Sequence, residues 1–171
     1  MAEPPTGVRV TVESPGGASS ATGLPILDHL IGELARAGRL GVSLEVAPGS
    51  AQAEVEAAGR ALGRALGELL TRSASAGRGW ALTPSGEALA AAALELSDQP
   101  ALVVNVDFSD QEISGVRTDV VSGFLAALSE GAGVNLHVRV LDGTDPQHVV
   151  EAMFKSVGAA LGIACRPHLD T

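Results

Sequence analysis

Aromatic side chains make up only 2% of the 171 residues: three Phe, one Trp and no Tyr. With apolar residues at 46% and glycine present 21 times, the core has to be built from small aliphatic side chains in close contact rather than from rings. Cysteine occurs once, at Cys165, so neither a disulfide framework nor a cysteine zinc site can form within one chain, and a reducing cytoplasm fits. Basic residues are few and scattered, eleven against twenty acidic ones for a net charge of −9. That balance excludes nucleic acid as a partner, because neutralising phosphates requires clustered Lys and Arg. Long apolar runs are absent too: no uncharged stretch of about 18 residues could span a bilayer. The start Met1-Ala2-Glu3-Pro4-Pro5 lacks the basic region and apolar stretch of a signal peptide. The expectation is a cytoplasmic protein with no membrane partner.

What is present is a repeat. Gln52-Ala53-Glu54-Val55-Glu56 sits early and Gln147-His148-Val149-Val150-Glu151 sits late, each beside a Gly-containing loop and opening an apolar helix. Val42 to Gly49 aligns with Leu136 to Gly143, and Leu62-Gly63…Leu66-Gly67 aligns with Val157-Gly158…Leu161-Gly162. The offset is 94 residues at the glycine (Gly49 to Gly143) and 95 beyond it (Gln52 to Gln147). A chain of this length is one domain, able to bury roughly two-thirds of its unfolded surface. It reads as residues 1–171 made of two repeats, about 8–72 and 82–162.

Periodicity places the elements. Val8 to Val12 alternates as a strand, followed by a turn-rich loop at Ser14-Pro15-Gly16-Gly17. Pro25 to Ala37 is predicted as a helix with Leu27, Leu30, Ile31 and Leu34 on one face, stopped by Gly38. A strand at Val42 to Val46 and a helix from Ala51 to Leu70 follow, then a small-residue loop from Ser73 to Gly79. The alanines of Glu87 to Leu96 favour helix, but Leu94, Leu96, Leu102, Val104 and Val106 favour two strands joined at Ser97-Asp98-Gln99-Pro100, which gives the halves matching layouts. A helix at Thr118 to Glu130, a strand at Val134 to Leu141 and a helix at Gln147 to Leu161 complete the second half, with a loosely ordered tail from Ile163. The fold class is α+β, with helices packed on one face of sheets.

On a helix, positions i and i+4 share a face while i+1 points about 100° away. Gln147 and Glu151 therefore share a face with His148 to the side, and Gln52 and Glu56 repeat the arrangement. Had the first two positions been His-His, imidazole and carboxylate would supply ligands for manganese, iron or zinc. A glutamine amide is a poor substitute and Ala53 donates nothing. Taken singly, each of these residues has a plain structural role: acids in first turns favour the helix dipole.

The ordered series of motifs resembles the imidazoleglycerol-phosphate dehydratase family. Thr22-Gly23-Leu24-Pro25-Ile26-Leu27-Asp28-His29-Leu30 is similar to TG-x-x-FLDHM, and Ala61-Leu62-Gly63 with Ala65-Leu66-Gly67 to the helix after H-H-T-x-E-D. Thr83 to Leu89 resembles xPMDEAL, Glu95 to Pro100 DLSGRP, Asn135 to Arg139 the LHIR strand, and Asp145 to Lys155 N-x-HH-x-x-EA-x-FK. The resemblance covers about residues 8 to 162. It implies a tandem duplication with two four-stranded sheets and helices packed on one face of each, like the second domain of ribosomal protein S5. It also implies trimers assembled by two manganese ions per site into a 24-subunit shell, and elimination of water from imidazoleglycerol phosphate to give imidazole acetol phosphate.

Carried over residue by residue, the resemblance leaves His29, Glu56, His148 and Glu151 as remnant metal ligands. Glu56, Glu151 and Glu87 remain as vestigial catalytic candidates, and Lys155 as the contact to substrate phosphate. Gln52, Ala53, Gln147 and Ala37 stand where the family has histidines. Ala57 and Gly86 replace acids, Gln99 replaces the phosphate-directed arginine, and the R-x-T-x-E-T strand is not recognised. Four missing histidines imply that no manganese cofactor is bound. The leading expectation is therefore a relative without the parental activity, a regulatory or binding protein for a small phosphorylated ligand. The alternatives are a functional dehydratase with an atypical site, or a different acid–base enzyme using Glu56, Glu87, Glu151 and His148. Without metal bridges, self-assembly should stop at a homotrimer.

Overall fold

The computed structural model describes residues 6–12, 17–72, 74–107 and 111–167. In the first half, β1 (Thr6–Thr11) and β2 (Gly17–Ala21) flank β3 (Gly41–Val46), with α1 (Pro25–Gly38) between β2 and β3 and α2 (Ala51–Leu70) after it. In the second, β4 (Arg78–Ser85), β5 (Ala88–Leu96), β6 (Ala101–Val104) and β9 (Val134–Asp142) form a sheet of order β4-β5-β9-β6. A ribbon, β7 (Glu112–Ile113) and β8 (Val116–Arg117), leads into α3 (Thr118–Ala132), and α4 (Pro146–Ala164) ends the fold.

The duplication is visible in the pairing. β1 runs antiparallel and β2 parallel to β3; β5 runs antiparallel and β6 parallel to β9. Two expectations change. Among the described residues the first sheet has three strands, not four, and β4 in the second has no counterpart there. The strand that looked missing is β1: Arg9 and Thr11 are followed by Glu13-Ser14 in the spacing R-x-T-x-E, with Glu13 and Ser14 outside the described residues.

α1 and α2 pack on the first sheet and α3 and α4 on the second, and the helices meet across the halves as α1 with α4 and α2 with α3. Both contacts are built on glycine. A Cβ on Gly158 would lie 2.0 Å from the Leu34 carbonyl, and one on Gly38 would lie 2.3 Å from the Gly158 carbonyl. A Cβ on Gly59 or Gly63 would come within 2.5 Å of a carbonyl of α3, at Phe124 and Leu128 respectively. Such contacts bring backbone against backbone, which is how a chain nearly devoid of aromatics closes its core. The stacked pair Phe124–Phe154, with ring centroids 5.4 Å apart, is its main exception. Because the pairings Leu34–Gly158 and Gly38–Gly162 step in the same direction, α1 and α4 run parallel, and that alignment sets up the site.

The tail is firmer than expected as far as it is described. α4 continues to Ala164, Cys165 is buried, and the Arg166 guanidinium donates to the carbonyls of Gly38, Arg39 and Gly162. Burial pushes the Cys165 thiol up to about 11, so it behaves as a small apolar residue. Among the described residues no helix is long and apolar enough to cross a membrane.

Candidate active site

Three segments converge at the first turns of α4. Asp145 caps that helix by accepting from the Gln147 amide at 2.9 Å, and Pro146 occupies its first turn. Gln147, Glu151 and Lys155 then line one face at intervals of four. α1 lies alongside, its entry held by Asp28, whose carboxylate accepts from the Thr22 amide (3.1 Å) and hydroxyl (2.9 Å). This anchor makes Asp28 structural and leaves the next residue, His29, facing α4.

Glu151 is the hub. His29 Nε2 donates to its Oε1 at 3.0 Å, Gln147 Nε2 to the same oxygen at 3.1 Å, and the Ser85 hydroxyl to Oε2 at 2.8 Å. Burial raises the Glu151 pKa, but the hydrogen bonds from Gln147, Ser85 and His29 together outweigh it, and the net shift is downward. The group is a carboxylate at neutral pH. Its side chain is 14% exposed while that of His29 is 44% exposed, so solvent and ligands reach the imidazole rather than the acid.

Glu87, in the β4–β5 turn, braces the loop before α4. Its Oε1 accepts from the backbone amides of Asp145 (2.8 Å) and Thr144 (3.1 Å), and its Oε2 pairs with His148 Nδ1. The Asp145 amide, then His148, hold its carboxyl down from an ordinary 4.5 to about 2. The same contact with Glu87 raises the His148 pKa. A bulge at Leu89/Ala90, where β9 carries one extra residue, turns Asp142 to Thr144 toward Glu87. Gly86 sits at φ +53°, and a Cβ there would lie 2.5 Å from His148 Nδ1. The glycine in place of the family's aspartate is thus what allows the imidazole to fold onto Glu87.

One turn further along α4, Lys155 Nζ is 3.6 Å from Glu33 of α1 and 3.5 Å from the Pro84 carbonyl, and Glu33 also pairs with Arg36. The site thus spans both halves: His29 and Glu33 from the first, Ser85, Glu87, His148, Glu151 and Lys155 from the second.

Glu56 is not part of it. Gln52 Nε2 donates to Glu56 at 3.0 Å, repeating the Gln147–Glu151 contact at the start of α2, but none of the His29, Ser85 or Lys155 contacts has a counterpart there among the described residues. The buried acid of this motif is Glu54, which accepts from the Gly49 amide at 2.8 Å and closes the loop. His137 lies elsewhere, on the exposed outer face of the second sheet, where it lines a cavity of about 550 Å³ with Trp80 and Asn135.

The donor set does not fit the two manganese ions that the family resemblance implies. Both glutamine amides act as donors to the carboxylates, and His29 and His148 are each turned onto a different acid. Among the described residues no three His, Cys, Asp or Glu side chains converge as a metal-holding group.

Residues 22–161 match the family description imidazoleglycerol-phosphate dehydratase. The chain belongs to that family. It is 35% identical over 165 residues to the imidazoleglycerol-phosphate dehydratase of Desulfitobacterium hafniense, covering 93% of this chain and 83% of the relative. It is 34% identical over 168 residues to that of Pelobacter propionicus, covering 94% and 86%. The crystal structure of the Staphylococcus aureus imidazoleglycerol-phosphate dehydratase superposes with a TM-score of 0.86 at 24% identity, covering 95% of this chain and 94% of that one, which shows the shared fold. The curated relatives overturn the leading expectation from sequence. Proteins named for the enzyme match along most of their length at this identity, which supports a functional dehydratase over a non-catalytic relative.

Sequence reasoning missed Ser85, Glu33 and the donor role of Gln147. Ser85 carried a weak signal, standing inside the xPMDEAL segment at the position of its methionine; Glu33 carried only its i+4 spacing from His29.

Proposed function

We propose that this protein is an imidazoleglycerol-phosphate dehydratase of histidine biosynthesis, working in the cytoplasm with an atypical site whose acid–base groups are two histidine–carboxylate pairs. The observation that carries the reading is the cluster of His29, Glu151, Ser85 and Gln147 with Lys155 one turn away, about 6 Å along α4. That spacing suits a substrate whose phosphate rests at Lys155 while its carbon chain lies against His29.

With Nε2–H donated to ionised Glu151, His29 keeps a lone pair at Nδ1 and can accept the carbon-bound proton. The electron pair left on carbon forms the new double bond as the neighbouring C–O bond breaks. His148, whose contact with Glu87 favours its protonated form, supplies a proton to the departing hydroxyl, which leaves as water; the enol then becomes the ketone. Glu87, held near 2, is too weak a base to accept a proton at neutral pH and serves to orient and charge His148. No step is assigned to Glu56. We propose further that high-affinity manganese is not required and that the assembly is a homotrimer, because the donors that would bridge trimers are replaced.

The test is purified protein with imidazoleglycerol phosphate, with manganese added and after chelation, alongside metal analysis and native mass. Formation of imidazole acetol phosphate supports the reading, and its absence under both conditions sinks it. Turnover only with stoichiometric manganese, or a mass near 24 subunits, would remove the metal-independent part.

A further inference from the structure

We propose that Lys155 and Arg36 form an anion seat that the chain's own Glu33 carboxylate fills, and that Glu33 thereby competes with the phosphate end of the substrate and sets its affinity. The proposal rests on the dehydratase reading for the identity of the phosphate ester, but not for the seat itself.

The seat is defined by how one carboxylate is shared. Glu33 Oε1 takes Arg36 Nη2 and Glu33 Oε2 takes Lys155 Nζ at 3.6 Å. Two cations held on the two oxygens of one acid are spaced to grip a compact oxyanion. Arg36 folds back along α1 over Gly32, where an added Cβ would be 3.8 Å from both terminal nitrogens. Glu33 is 16% exposed, Lys155 29% and Arg36 59%, so the carboxylate lies at the bottom with the guanidinium at the rim.

Lys155 is only loosely engaged. An ammonium has three donors, and its contacts, Glu33 at 3.6 Å and the Pro84 carbonyl at 3.5 Å, are both long. A phosphate monoester brings three acceptor oxygens and close to two negative charges at neutral pH, against two oxygens and one charge for the carboxylate. It can therefore displace Glu33, but it must also tolerate a negative side chain beside it once the carboxylate has moved. Both effects weaken phosphate binding relative to a seat with a neutral residue at position 33.

The experiment is titration of inorganic phosphate into the full-length protein by calorimetry, which needs no turnover, together with KM for imidazoleglycerol phosphate. Glu33→Gln, which keeps the shape and removes the charge, should tighten phosphate binding about threefold to tenfold, with KM falling in the same direction. Arg36→Ala and Lys155→Ala should weaken it, and Glu33→Gln should lose its effect in the Lys155→Ala background. Phosphate affinity that is unchanged or weaker in Glu33→Gln overturns the proposal. Tighter phosphate binding without any turnover would leave the seat standing and remove the dehydratase reading; turnover with no Glu33 effect would do the reverse.

Discussion

At the start of α2, Gln52 reaches one turn along the helix to Glu56; at the start of α4, Gln147 does the same to Glu151. The backbone, the offset and the pair of side chains are common to both. Their surroundings differ. Glu151 meets His29 from α1 and Ser85 from β4, an element without a counterpart in the first half among the described residues. Glu56 accepts from Gln52, a neighbour on its own helix. Within one chain, the duplicated motif joins a cross-half side-chain cluster in one copy and stands apart from it in the other. The neighbours, not the motif, made the difference.

Changes at Glu151 and His29 should separate the copies most. Glu151→Gln or His29→Ala is expected to lower kcat by about 10²- to 10⁴-fold, the usual span for a positioned acid–base group, while thermal melting shows that the fold persists. Equal losses from Glu56→Gln would break the comparison.

The seam that brings the copies together is next in size. Gly158→Ala puts a methyl group 2.0 Å from the Leu34 carbonyl, so α1 and α4 must separate. Overpacking of that kind should cost about 1–3 kcal/mol or more of stability in denaturant unfolding, with activity falling as His29 and Glu151 part. Gly123→Ala, where a Cβ would meet nothing within 4 Å, serves as the control on α3.

A subtler contrast lies in pH. The Glu87 carboxyl is lowered on folding, so its contribution to stability is present above 4.5 and is lost as pH falls from there toward about 2. The His148 pKa is raised, so its contribution is full below 6.5 and is lost as pH rises through the folded value. Glu87→Gln should remove both dependences from a stability–pH profile and lower the acid-requiring limb of the pH–rate curve. A profile identical to that of the unmodified protein would show that the pair does not couple. Smallest of all, Glu56→Gln should change kcat by less than about twofold and stability by no more than about 0.5 kcal/mol; a larger change would mean that the first copy still works.

Much of the fold was legible because most elements obey their periods. α2 runs from Ala51 to Leu70 as predicted, with Val55, Leu62, Leu66 and Leu69 buried. β4 was illegible because its pattern is inverted. Its large apolar residues, Trp80 and Leu82, face outward, while the inward side holds Gly79, Ala81, Thr83 and Ser85. α4 lies so close that a Cβ on Gly79 would be 2.2 Å from the Ala160 carbonyl, leaving no room for the side chains that mark a strand. The same close approach hid Ser85, whose role depends on that strand. Spacing located Glu151 and His148, but no spacing could say that the two histidines would turn onto separate acids, since that depends on Gly86 and on a bulge in β9. Glu87 looked like a candidate base by motif and is, by its hydrogen bonds, a brace that stays ionised at neutral pH.

The parallel seating of α1 against α4 has one more consequence. His29 and Glu151 come from opposite ends of the chain and meet only when the halves have docked in register, so neither half can display a working dyad alone. On the dehydratase reading, activity would require both halves: a chain still being synthesised, or one cut between α2 and β4 and drifting apart, would lack the pair.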